Sequence, residues 1–227
     1  MSMAWFLSCF VMHVFEYILD RISSLFKFNN YPLDEKAYSV MLYVAGLSLR
    51  DISERYYVTM ASRESVRRWF HRFSSIFSVE RRFGRAVAVD ETVVKLHGLR
   101  VYVWSAVDVD SGEILAIYAS WSRSMIVALK FIRMVLDKCL NKPLIIVDRG
   151  PWYRWALERL GLEYRYQRFG LRNIVERFFG YLKQRTRRFY NNINTWRIQS
   201  IEDYAKTIAI TRNITITIKT QGGVLPS

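Results

Sequence analysis

The chain has 227 residues, of which 51% are hydrophobic and 15% aromatic, so it can bury a sizeable core and wholesale disorder is excluded. Its 10 glycines and 4 prolines exclude a collagen-like chain, and its 2 cysteines are too few for a disulfide framework or a cysteine zinc site. The net charge of +14 is the most informative quantity, because an aromatic-rich protein this basic most often binds a polyanion.

Residues 1–30 read as an apolar helix that packs on the rest of the chain or on a second subunit. The uncharged stretch Met1–Phe15 would be about 22 Å long as a helix, which is too short for a hydrocarbon core of about 30 Å. It has no basic segment before it, and Glu16 and Asp20 follow too soon for a signal peptide. We therefore expect no membrane anchor and a cytoplasmic protein, and the net charge of +14 leads us to expect that it is DNA-associated.

Residues 31–80 are predicted to form a small domain of three short helices. Gly46 falls where a left-handed C-cap is needed, and Ser48 and Ser62 are suitable N-caps for the helices that follow them. The predicted helices are Asp34–Val44, Ser48–Tyr56 and Ser62–Phe73.

The third of these helices is basic. Its apolar residues Val66, Trp69 and Phe73 face inward, which leaves the other sides to Arg63, Arg67, Arg68 and Arg72. Three short helices with a basic third one are typical of a helix-turn-helix DNA-binding domain. A small bundle with an incidentally basic helix is the alternative.

Residues 81–215 change to a pattern of strands alternating with helices. The order predicts an α/β domain, a mixed sheet flanked by helices, followed by a flexible tail over residues 216–227. The predicted strands are Ala86–Val89, Arg100–Val109, Ile114–Ser120 and Leu144–Val147, and the predicted helices are Arg123–Leu140, Pro151–Leu160, Asn173–Phe189 and Ile201–Asn213.

Three acidic residues stand out by their positions in this domain. Asp90 and Asp148 each follow an apolar strand, and Glu176 lies near the start of a helix in the segment 149–197, which has 12 basic and 3 acidic residues. Side chains at the carboxyl ends of neighbouring strands meet where ligands bind. Carboxylates without a His or Cys cluster favour Mg²⁺ or Mn²⁺, and two such ions would catalyse phosphodiester displacement.

Each of these acids also has a structural interpretation. Asp90 could cap a turn, Asp148 could begin the helix after Gly150, and Glu176 could pair with Lys183 or Arg172. The D-S-G turn at 110–112 explains Asp110 and accounts for Asp108 as well, and Glu91 should point away from Asp90 in an extended chain. The other acids of the basic segment are Glu158 and Glu163.

The helix that carries Glu176 has a polar stripe beside its apolar one. Glu176, Gly180, Lys183 and Arg187 recur at helical spacing on this stripe. A carboxylate, a glycine that leaves room and then two cations would suit a DNA backbone leading away from metal ions. The same stripe would also suit a salt-bridged surface.

Four motifs in order resemble the DDE transposases of bacterial and archaeal insertion sequences, and the insertion-sequence-six family in particular. They are V-D-E-T at 89–92, K-L-H-G at 95–98, V-D-R-G at 147–150 and N-I-V-E-R-F-F-G-Y-L-K-Q-R-T-R-R-F at 173–189. The resemblance extends from about Pro32 to Asn213. It implies a ribonuclease-H-like core, two divalent ions per active site, a catalytic and metal-binding triad of Asp90, Asp148 and Glu176, and a DNA contact by Lys183.

The resulting hypothesis is a transposase that cleaves and transfers DNA strands at the terminal inverted repeats of an insertion sequence. Its partner is double-stranded DNA, with no small-molecule substrate, and we expect a homodimer or larger assembly because two ends must be joined. The residues expected to bind DNA are Arg63, Arg67 and Arg68 in the helix-turn-helix, and Lys183, Arg185, Arg187 and Arg188 near the cut. The alternatives are a structure-specific nuclease or resolvase of the same fold, and a non-catalytic helix-turn-helix protein.

Overall fold

The computed structural model describes residues 15–16, 18–26, 30–96, 98–167, 170–188 and 197–221, with the side chains of 96, 185–188, 218–219 and 221 excepted. The described residues form two compact units, one within Met1–Phe77 and Lys206–Ser227 and the other Ser78–Ala205. Most of the apolar N-terminal helix predicted for residues 1–30 lies outside the described residues. No described helix combines the length and the apolar character needed to cross a membrane.

The first unit contains the three helical segments predicted for residues 31–80. Helix α1 spans Leu33–Ala45 and helix α2 spans Arg63–Phe73, with a 3₁₀ turn at Ser74–Ile76 after it. Between α1 and α2, the predicted second helix contains a π-helical turn, Asp51–Arg55, in which the amide of Tyr56 donates to the carbonyl of Asp51 at 2.9 Å.

The ends of these helices follow from local chemistry. Gly46 has φ of 122°, and its amide donates to the carbonyls of Leu42 and Tyr43, which terminates α1. Ser48 and Asp51 cap each other's backbone amides at 3.0 Å. Ser62 accepts the amide of Ser65 at 3.2 Å and so begins α2.

The second unit is built on a five-stranded sheet with helices packed on it. The strands are β1 (Ala86–Leu96), β2 (Leu99–Asp108), β3 (Ile114–Ser120), β4 (Leu144–Val147) and β5 (Tyr164–Tyr166). The helices are α3 (Met125–Leu136), α4 (Pro151–Arg159), α5 (Asn173–Arg188) and α6 (Ile198–Gln221), the last of which extends into the first unit.

The strand order is β3-β2-β1-β4-β5. Strands β1, β2 and β3 form an antiparallel meander, and β4 and β5 are parallel to β1. This arrangement of three antiparallel strands and two parallel ones, covered by helices, is the ribonuclease-H-like fold. The core includes Trp104, whose ring centroid lies 5.9 Å from that of Phe131 on α3 and 5.8 Å from that of Tyr153 on α4.

Several expectations about element ends were wrong, among them the helix predicted over Arg123–Leu140, which spans only Met125–Leu136. Strand β1 does not stop at Val89 but continues to Leu96, because β2 pairs with it along that whole length. Helix α6 continues to Gln221, so residues 216–221 are helical rather than part of a flexible tail. The hydroxyls of Thr215, Thr217 and Thr220 each donate to the carbonyl four residues earlier, which places these β-branched residues within the helix.

Candidate active site

Asp90 and Asp148 are brought together by the pairing of β1 with β4. The last parallel pair in the register is Ala88 with Ile146, and each aspartate follows its member of that pair by two residues. Since neighbouring strands lie about 4.8 Å apart and side chains alternate, both carboxylates fall on the same face at the place where β4 ends. Asp90 therefore lies on β1 just beyond the end of β4, where β1 no longer has a described neighbouring strand on that side.

Asp90 is buried, with 5% of its surface exposed. Its Oδ2 accepts a hydrogen bond from Nη2 of Arg172 at 3.1 Å. Burial raises the pKa of Asp90 to about 6, the Arg172 guanidinium lowers it, and the nearby Glu91 and Asp148 carboxylates raise it. A carboxylate removed from water in this way is stabilised by a cation.

Glu176 reaches the same place from the first turn of α5. Buried apolar side chains, Val175, Phe178, Phe179 and Leu182, hold this helix against β1 and β2 and leave Glu176, Gly180 and Lys183 exposed. Oε1 of Glu176 lies 3.3 Å from the Arg172 nitrogen that contacts Asp90. Because one nitrogen touches both oxygens, the two carboxylates cannot be further apart than the sum of 3.1 and 3.3 Å.

Arg172 is the site residue that the sequence reasoning did not single out, since it entered only as a possible partner of Glu176. It lies immediately before α5 and four residues before Glu176, and 14% of its side chain is exposed. Its Nε is buried and has no hydrogen-bond partner among the described residues. The spacing of four residues indicated the contact with Glu176, but nothing local indicated the contact with Asp90, 82 positions away.

Asp148 also has the structural role that the sequence suggested, at the start of the helix after Gly150. Its Oδ1 accepts the amide of Gly150 at 2.8 Å, in the turn that leads into α4. A Cβ added to Gly150 would lie 2.9 Å from that oxygen and 2.6 Å from the Trp152 ring, so the turn leaves no room for a side chain. The turn thereby orients the Asp148 carboxylate.

Glu91 lies on the other face of β1, as the alternation of an extended chain predicts. Its carboxylate accepts hydrogen bonds from the hydroxyl of Tyr153 and from Arg123, the latter at 3.2 Å. Burial raises the pKa of Glu91, with the Tyr153 and Arg123 bonds acting against that rise and Asp148 adding to it. Glu91 is thus a buried acid supported by α4.

Of the other acids considered from the sequence, Asp108, Asp110 and Glu158 have local partners instead. Asp108 accepts from the amide and hydroxyl of Ser111 at 2.7 Å, and Asp110 pairs with Arg85 at 2.6 Å, as expected for turn residues. Glu158 pairs with Arg154 at 2.8 Å, one helical turn away. Glu163 is exposed.

The three carboxylates are the right chemistry for a divalent cation of the magnesium type. They supply only hard oxygen ligands, and burial of Asp90 makes charge compensation necessary. Among the described residues, however, no group of three or more His, Cys, Asp or Glu side chains is already arranged to hold a metal ion. Arg172 is the cation that lies between two of these acids.

The residues expected to bind DNA differ in their ion pairs and exposure. Arg63 pairs with Glu54 at 2.7 Å, and Arg67 and Arg68 both pair with Glu64. The bond from Arg67, and with it that from Arg68, lowers the pKa of Glu64 to about 2. Lys183 is exposed on α5, whereas the side chains of Arg185, Arg187 and Arg188 lie outside the described residues.

Three sequence matches extend beyond single motifs. The DDE domain family of the IS240 type matches residues 84–219. An uncharacterized protein of Methanocaldococcus jannaschii is 37% identical over 203 residues, which cover 87% of this chain and 93% of that protein. An uncharacterized protein of Aquifex aeolicus is 44% identical over 45 residues, which cover 20% of this chain and 37% of that protein.

Solved structures with a similar backbone fold include retroviral integrases. The catalytic core domain of BIV integrase has a TM-score of 0.44 at 14% identity, covering 62% of this chain and 99% of that one. The catalytic core domain of HTLV-2 integrase in complex with magnesium has a TM-score of 0.43 at 15% identity, covering 54% of this chain and 83% of that one.

Proposed function

The chain belongs to the DDE domain family of insertion-sequence transposases, and from this premise we propose that it cleaves and transfers DNA strands at the terminal inverted repeats of an insertion sequence. The single observation that carries the proposal is the approach of Asp90 and Glu176 to one Arg172 nitrogen, with Asp148 beside Asp90. Two acids distant in sequence, Asp90 and Glu176, share one cation beside a ribonuclease-H-like sheet, within a strongly basic unit.

We propose that Asp90, Asp148 and Glu176 hold Mg²⁺ or Mn²⁺, with two ions in the working site. The ions supply Lewis-acid stabilisation of the reacting phosphodiester. The protein fixes the position of the carboxylates: β1 and β4 set Asp90 against Asp148, the turn at Gly150 orients Asp148, and the buried face of α5 sets the depth of Glu176. Arg172 offsets their charge in the metal-free protein.

DNA binding is assigned to both units. In the helical unit, α2 would contact the inverted repeat through Arg63, Arg67 and Arg68 after they exchange Glu54 and Glu64 for phosphates or bases. In the catalytic unit, Lys183, and with it Arg185, Arg187 and Arg188, would hold the backbone along α5. Joining two element ends calls for at least two copies of the chain.

Asp148→Asn tests the proposal in a supercoiled-plasmid cleavage assay with Mg²⁺ and a plasmid that carries the element's ends. The substitution removes a negative charge from the site and keeps the side chain's size, so we expect cleavage to fall by at least about 100-fold. The matched control is Asp110→Asn, which removes the same charge at an exposed pair with Arg85. Parental cleavage by Asp148→Asn would refute the proposed site.

The same assay separates the proposal from its nearest rival. A transposase cuts at the element's ends and joins the new 3′ ends to target DNA. Cutting of branched DNA irrespective of the end sequence would instead identify a structure-specific nuclease. Binding of the ends without cleavage in Mn²⁺ would identify a non-catalytic regulator.

A further inference from the structure

The helical unit has a basic cleft beside α2, which shares only Arg68 with the proposed DNA contacts of that helix. It has a volume of about 390 Å³ and is lined by three cations, Lys36, Arg68 and Arg72, and three aromatic residues, Phe26, Tyr31 and Trp69. Arg68, Trp69 and Arg72 come from one side of α2, Lys36 comes from α1, and Phe26 and Tyr31 come from the segment before α1. We name these six residues the basic-aromatic cleft.

Lys36 lies at the base of this cleft, and only 3% of its surface is exposed. Its Nζ lies 4.6 Å from the centroid of the Phe26 ring and 5.7 Å from that of Trp69, so two aromatic faces hold the ammonium in place. Burial lowers the pKa of Lys36, and Arg72 lowers it further, while Glu35 opposes that change.

Arg72 contributes a second charge at the rim. Its guanidinium carbon lies 5.3 Å from the centroid of the same Phe26 ring. Arg68 follows one helical turn earlier, with its Nε held by Glu64 at 3.0 Å. Lys36 and Arg72 repel each other, and an anion bound between them would offset that repulsion.

The lining of the cleft is chemically one-sided. No described carboxylate lines it, and its two other polar residues, Ser65 and Asn30, can donate hydrogen bonds. Cations and donors around one cavity match the oxygens of a phosphate, and the aromatic walls suit the sugar attached to it. The cleft borders α2, the helix predicted to contact DNA.

We propose that the basic-aromatic cleft binds a backbone phosphate of duplex DNA beside the bases read by α2. This inference rests on the proposed function, because it takes the ligand of the helical unit to be DNA. The phosphate would accept from Lys36 and Arg72 and would offset the repulsion between them. Such a contact positions the helix on DNA and carries no sequence preference of its own.

Two variants of the full chain test this assignment, Lys36→Met and Arg72→Gln. Fluorescence anisotropy with a labelled duplex carrying an element end should show each variant binding about tenfold more weakly. A scrambled duplex should show the same loss, and the dependence of log affinity on log salt should become shallower by about one for each variant. Arg72→Gln changes an exposed side chain, so it remains informative if Lys36→Met does not fold.

The matched control is Arg50→Gln, which removes an exposed cation from the same unit but outside the cleft, where it pairs with Glu54 at 3.4 Å. Its affinity should stay within about twofold of the parent. Parental affinity and salt dependence in Arg72→Gln would overturn the inference.

A second measurement separates DNA from free phosphate as the ligand. Thermal unfolding is followed with inorganic phosphate and with chloride at equal ionic strength. Stabilisation by phosphate that Arg72→Gln loses, together with unchanged affinity for DNA, would overturn the assignment to DNA. If Asp148→Asn abolishes cleavage while the cleft variants bind normally, the proposed function stands and only the cleft assignment fails.

Discussion

At the scale of single residues, the site depends on one buried acid and the arginine that neutralises it. Asp90 is buried and has its pKa raised to about 6, and Arg172 reaches it from the start of α5 at 3.1 Å. Removing one partner of a buried ion pair costs more than the pair itself contributes, because the remaining charge stays out of water. Arg172 therefore stabilises the metal-free protein as well as positioning the acids.

Arg172→Gln should lower the free energy of unfolding in EDTA by about 3 kcal/mol at pH 8. The loss should be smaller at pH 5. A raised pKa means that the folded protein binds a proton on Asp90 that the unfolded chain does not, so stability falls as pH rises from about 3.8 to about 6. Without Arg172 the pKa of Asp90 rises further, so the decrease in stability continues to higher pH. The variant is therefore further below the parent at pH 8 than at pH 5. Urea unfolding at both pH values measures the difference.

Arg154→Gln serves as the control for this prediction. Arg154 pairs only with the exposed Glu158 in the described structure, so its loss should change stability little at either pH. An Arg172→Gln protein as stable as the parent at pH 8 would show that Arg172 does not compensate Asp90.

At the scale of elements, local signals predicted most boundaries well. The observed strand Leu144–Val147 has the predicted ends, α4 begins at Pro151 as predicted, and α2 begins after Ser62. These boundaries depend on caps and apolar runs, which are read from adjacent residues. The end of β1 was predicted wrongly because it depends on pairing with β2. Hydrogen bonds to β2 keep the residues after Asp90 extended, although their sequence alone indicates a turn.

Gly46→Ala should destabilise the helical unit by about 1 kcal/mol. Gly46 has φ of 122°, a conformation in which a Cβ is strained, and it ends α1. Gly180→Ala is the matched substitution inside α5, where nothing lies within 4 Å of the added Cβ. There the same change should stabilise the helix by about 0.5–1 kcal/mol. Thermal unfolding of both variants should therefore shift in opposite directions, and a shared direction would contradict the expectation.

At the scale of the whole molecule, charge separates the two parts of the chain. Residues 1–80 have a net charge of +1, whereas residues 81–227 carry +13 of the total of +14. The helical unit nevertheless gathers Lys36, Arg68 and Arg72 in one cleft, so a balanced total conceals a local concentration of cations. Net charge therefore indicates that the expected ligand is a polyanion, but it does not indicate which part of the chain the ligand would contact.

DNA affinity of the full chain should fall by about 10³-fold or more between 50 and 200 mM salt, because the seven Lys and Arg side chains assigned to DNA on α2 and α5 are expected at phosphates or bases, besides Lys36 and Arg72 of the basic-aromatic cleft. Asp148→Asn should show the same dependence, since the substitution leaves these cations in place. Anisotropy titrations at several salt concentrations measure the slope. An affinity that does not change with salt would exclude the proposed backbone contacts.

By itself, the sequence determined the types of the elements and most of their ends, and it predicts oxygen-ligand chemistry for Asp90, Asp148 and Glu176 and a preference for a polyanion. These properties depend on neighbouring residues and on composition. Only the tertiary structure decided that Arg172 contacts Asp90 and Glu176 together, that Glu91 is buried against Tyr153, and that Lys36 lies beneath two aromatic rings. The first two of these contacts join different elements of the sheet domain, and the third joins α1 to α2 and to Phe26. Strand register and helix packing therefore set the distances, and no local pattern records them.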